Sequence, residues 1–131
     1  MRSTTLKSSI FALAASVALT PAFAGEHGHA HKGDHGGKVV ESGHHHLEIV
    51  AKDGSLEVYV NDEDGKPEDI TDAKASAAVL SEGKKIDVVL APDAANFLKG
   101  TGTFKAVKGT TIVVTLTMPG HQPEQSRIKL D

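Results

Sequence analysis

From about Lys38 to Leu130, apolar residues recur at every second position, in short runs cut by turn dipeptides. That period puts one face of a strand inward and the other outward, whereas a helix repeats its apolar stripe every three to four residues. Leu47, Ile49 and Ala51 form one run, Leu56, Val58 and Val60 the next, and Ile86, Val88 and Leu90 another. Residues 110–118 are the most regular, with Ile112, Val114, Leu116 and Met118 on one face, and Ile128 and Leu130 close the chain. Asp53-Gly54 suits a tight type I′ hairpin turn. Residues 62–67, residues 81–84, Lys108-Gly109 and Pro119-Gly120 are further breaks. Residues 73–80 read as a strand of small residues and 103–107 as another. Residues 92–100 read as a connection with one helical turn over 94–98. The expected fold is all-β, an immunoglobulin-like antiparallel β-sandwich of about seven or eight strands over residues 38–131. With no Cys and no Trp in the chain, "immunoglobulin-like" means architecture only.

The first 24 residues have a different logic. Arg2 and Lys7 are a positive start, residues 10–19 an apolar run, Pro21 a helix stop, and Ala22-Phe23-Ala24 an A-x-A cleavage site. The apolar run is shorter than the roughly 20 residues a membrane span needs. A cleaved export signal is expected, with no membrane insertion afterwards and a periplasmic location. The whole chain carries a net charge of −3, and loss of Arg2 and Lys7 makes it more acidic still. An acidic chain without a basic patch does not suit nucleic acid as partner.

Histidine carries the chemistry. Of the 8 histidines, all but His121 fall between positions 27 and 46. Residues 25–37 hold Gly, His and charge with Ala30 as the single apolar side chain, so they read as a flexible tail. His27, His29 and His31 are spaced at alternate positions, with Glu26, Asp34 and His35 close by. Neutral imidazoles that converge suit Zn, Cu, Ni or Co, and protons compete for the same nitrogens. A second group is His44, His46 and Glu48. If Leu47 and Ile49 face the core, these three share the outer face of a strand, at roughly 6.5 Å between alternate residues. His45 then points the other way, as a cap on the core edge, and is a further candidate ligand. Met118 and His121 together would suit Cu(I), but they are too few to define a site; the alternative places Met118 in the core and His121 in the following loop.

Other chemistry finds no support. An EF-hand loop with Gly65 at its sixth position would run from Val60 to Thr71, where Asp and Glu are required. There is no G-x-S-x-G, no thiol, and no nucleophile placed beside a base, so no enzyme is expected.

Residues 35–41 (HGGKVVE) and 43–50 (GHHHLEIV) resemble the N-terminal segment of periplasmic adaptor (membrane-fusion) subunits of heavy-metal efflux pumps, and small secreted metal-resistance proteins. Residues 56–60, 64–67 and the stretch from Val113 to Gly120 resemble the same module. The helical hairpin, lipoyl-like domain and membrane-proximal domain of full adaptors are not expected in residues 38–131. The resemblance implies a stand-alone β module in a metal-handling setting, with His35, His44, His45, His46 and Glu48 as the matched polar positions. The expected function is chelation of a divalent transition-metal ion, which is then buffered or handed over, with an efflux component as a candidate partner. The alternatives are a non-catalytic module that docks onto an efflux or envelope protein, the His tail being incidental, and a small structural envelope protein.

Overall fold

A computed structural model describes residues 31–93 and 96–131. The expected signal and the tail up to residue 30 lie outside the described residues. The strands are β1 (His31–Lys32), β2 (Lys38–Ser42), β3 (His45–Lys52), β4 (Ser55–Asn61), β5 (Lys74–Ser81), β6 (Lys84–Pro92), β7 (Phe97–Thr101), β8 (Thr111–Thr117) and β9 (Glu124–Lys129). All pairings are antiparallel, in the order β1-β2-β3-β4-β7-β6-β5-β8-β9. The all-β antiparallel architecture read from the alternation is therefore present, and no helix occurs among the described residues.

Strand β6 joins two layers, one of β1-β2-β3-β4-β7 and the other of β5-β8-β9. It pairs with β5 along most of its length, but with β7 only through Ala91 and Pro92. At the opposite edge β2 and β9 draw together and nearly close the sheet. The Ser126 hydroxyl donates to the Glu41 carbonyl at 3.3 Å, and Lys38 Nζ reaches the Lys129 carbonyl at 2.7 Å and Asp131 at 2.6 Å. Inward positions from every layer meet in one aliphatic core. Leu47, Leu56, Val58, Val60, Val79, Leu98, Ile112 and Val114 are completely excluded from solvent. Each such side chain contributes about 1.5–3 kcal/mol through burial, which is how a chain so poor in aromatics holds its shape.

Three local expectations are corrected. Asp53-Gly54 does form a two-residue turn, Lys52 pairing with Ser55. Only Gly54 has positive φ (+75°), so it is not type I′. Asp53 is held instead by its carboxylate, which accepts the Ala106 N–H at 2.8 Å. The turn with two positive φ values is Glu82-Gly83, at +50° and +77°. Residues 97–101 are strand β7 rather than part of a connection, with Leu98 and Gly100 inward. Gly100 hides the pattern because it has no side chain to count, yet a Cβ there would stand 2.5 Å from the Val89 carbonyl oxygen. Residues 103–107 form no strand. They cross the end of the sheet, where the Phe104 carbonyl accepts the Gly54 N–H at 3.0 Å and the Phe104 ring plugs the core.

Burial predicts the mutational pattern. Ile112→Ala should lower unfolding free energy by about 2–5 kcal/mol. Val89→Thr, at a position 79% exposed, should change it by less than about 0.5 kcal/mol. Urea unfolding of the two variants checks both.

Candidate metal centre

Three connections meet at one end of the sheet: the β2–β3 hairpin, residues 62–72 after β4, and the turn between β8 and β9. The hairpin turns through Gly43-His44, with Ser42 paired to His45 and Gly43 at φ +57°. Because Leu47 and Ile49 face the core, parity turns His45 inward as well, and it is 5% exposed. The β8–β9 connection begins with a turn closed by the His121 N–H donating to the Met118 carbonyl at 3.0 Å. Pro119 and Gly120 (φ +77°) occupy the positions a type II turn assigns them. That turn swings His121 back over the sheet end, and Glu124 follows at the start of β9. The Glu124 carboxylate packs directly on Gly43, where any Cβ would collide with it.

One nitrogen from His45, one from His121 and one oxygen from Glu124 lie within 4.8 Å of one another. The two imidazole rings are 5.7 Å apart, centre to centre. Ligands at about 2.0–2.1 Å around a tetrahedral ion sit roughly 3.3–3.5 Å from each other. Donors already within 4.8 Å of one another need only small shifts to reach that spacing, and His121, the exposed member, is the least enclosed of the three. His45 Nδ1 and Nε2, Glu124 Oε2 and the Ser42 hydroxyl are buried without a hydrogen-bond partner. Ser42 faces His45 across the hairpin, so these unsatisfied atoms gather at one place. His45 Nδ1 does lie 3.2 Å from Glu68 Oε1. That is near enough to feel the charge but too far off line to count as a hydrogen bond. An unsatisfied buried polar group costs about 1–3 kcal/mol, so such a cluster weakens the fold and needs a reason outside it.

The sequence-derived ligands are dispersed. His27, His29 and Glu26 lie outside the described residues, and His31 pairs with Val39 through its backbone. Asp34 is exposed on the turn after β1. His44 is in the hairpin turn, not on β3, and its Nδ1 is 2.7 Å from Glu63. That hydrogen bond and charge, with Glu124 nearby, push the His44 imidazole up from its ordinary pKa, which favours the protonated form that cannot bind a metal. His46 Nδ1 is 3.1 Å from the Asp62 carbonyl oxygen. Met118 packs in the apolar core. His44, His46 and Glu48 therefore do not converge. His45 and His121 do, with Glu124, which the sequence reading did not single out.

Glu48 is only 3% exposed. Residues 33–37, expected within the flexible tail, fold over it. Glu48 Oε1 accepts the His35 N–H at 2.7 Å and the Gly37 N–H at 2.9 Å, and Oε2 meets His35 Nδ1 at 2.8 Å. The His35 ring stacks on Tyr59 with centroids 3.6 Å apart. Burial pushes the Glu48 carboxyl up, but the bonds from His35 and Gly37 outweigh it and hold the group below its usual range. The role of Glu48 is to latch the N-terminal segment to the sheet.

No protein family, no characterised protein and no solved structure matches this chain.

The Glu48 latch has a defined pH signature. Its folded pKa is lowered, so its contribution is present above the ordinary Glu value and lost as pH falls through the folded value. Glu48→Gln should cost about 1–3 kcal/mol near neutrality. The gap to wild type should shrink well below about pH 4.3. Urea midpoints of both proteins at about pH 6 and pH 3 measure this, and a gap equal at both would contradict it.

Proposed function

We propose that this is an exported, periplasmic transition-metal-binding protein that chelates a divalent ion and buffers it or hands it over, without catalysis. Export rests on the pattern of the first 24 residues. Metal binding is carried by one observation: His45, His121 and Glu124 offer converging donors, and the buried atoms there lack partners. A bound ion would satisfy His45 and Glu124 together, and the stability sacrificed at the sheet end would return as affinity. Two imidazoles and a carboxylate suit Zn(II), Co(II), Ni(II) and Cu(II), and hold nothing soft enough to select Cu(I). The histidines of residues 27–31 would raise the local concentration of ion near the domain.

Calorimetric titration with these four ions tests the proposal on the chain carrying His27→Ala, His29→Ala and His31→Ala. One ion should bind at sub-micromolar affinity, and His45→Ala or Glu124→Ala in that background should weaken it by at least about tenfold, the loss expected on removing one of three ligands. Binding that vanishes with the tail histidines would contradict a folded centre and favour a docking module with an incidental tail.

A further inference from the structure

How the centre is built can be taken one step further, on the assumption that the metal reading above holds. We infer that Glu68 is the outer carboxylate that orients His45. The chain then supplies three ligands, His45, His121 and Glu124, and leaves a coordination position open to solvent for exchange.

Glu68 Oε1 stands 3.2 Å from His45 Nδ1. Glu68 itself does not belong to the three residues whose donor atoms lie within 4.8 Å of one another. Its backbone is fixed close to the sheet: its N–H donates to the Val60 carbonyl at 2.9 Å, and neighbouring Pro67 bridges to Asn61. A carboxylate held there draws the imidazole proton to Nδ1 and leaves the lone pair on Nε2. Metal-bound histidines almost always give their second ring N–H to such a partner, which fixes the tautomer and raises ligand basicity. A small rotation of the His45 ring would bring the N–H into line.

The exposure of the donors is graded. His45 is buried, Glu124 half-buried and His121 exposed, so one side of the centre faces water. Structural zinc sites close with four protein ligands, whereas catalytic ones keep a fourth position for water or substrate, and the same open position would let an incoming ligand reach the ion. A protein that hands its ion on needs the second kind.

Co(II) absorption tests this on the chain with the residue 27–31 histidines replaced by Ala. Wild type in that background should bind one Co(II), and added thiocyanate should shift the d–d bands without releasing the ion. Glu68→Gln should keep the band positions and stoichiometry but bind about 10–100-fold more weakly, with its metal-free thermal midpoint measured alongside as a check on folding. Glu124→Gln should alter the bands themselves. Bands deaf to thiocyanate and changed by Glu68→Gln would make Glu68 a fourth ligand in a closed site and overturn the inference. Unchanged affinity in Glu68→Gln would overturn it as well. Absence of any Co(II) bands in the parent would instead remove the metal reading, and this proposal with it.

Discussion

The parity of β3 is the constraint on which the rest depends. Leu47 and Ile49 must face the core, and a one-residue slip would expose both. Once they are inside, His45 must be inside too, and His46 and Glu48 must lie on the other face. The hydrophobic effect thus places an imidazole out of reach of bulk solvent and without a hydrogen bond to the rest of the chain. The apolar run that stabilises the strand also strands its first side chain.

That burial becomes useful because of what the topology brings to the same end. Near-closure of the sheet sets β9 beside β2, and the type II turn at Pro119-Gly120 folds His121 back toward His45. Gly43 leaves room for the Glu124 carboxylate. Residues distant in sequence meet as a donor set of mixed nitrogen and oxygen. On the opposite face of β3, Glu48 has the reverse fate: its oxygens are satisfied by the backbone and ring of the 33–37 turn. Two acid–histidine clusters thus share one strand, each with one buried member on it, Glu48 satisfied and His45 not.

The strands were legible in the sequence because alternation and turn dipeptides report directly on sheet geometry, as Leu56-Val58-Val60 and Ile112-Val114-Leu116 show. β7 escaped because Gly100 contributes to packing through its missing side chain. The inward direction of His45 followed from parity, and it read as a cap on the core edge as well as a further candidate ligand. Glu124 had no local signal, since its place depends on β9 meeting a hairpin some eighty residues earlier. Glu48 misled for the same reason: alternation assigned it correctly to the outer face, and only the fold-back of residues 33–37 covers it.

The most direct test of the account is the position of the ion itself. Crystals of the chain grown with Zn(II) can be measured on either side of the zinc absorption edge, and the anomalous difference locates the metal without reference to the protein phases. The account predicts one strong peak about 2 Å from a His45 nitrogen, a His121 nitrogen and a Glu124 oxygen. A peak confined to the His44 and His46 surface or to the N-terminal histidines, with the sheet end empty of metal, would contradict it.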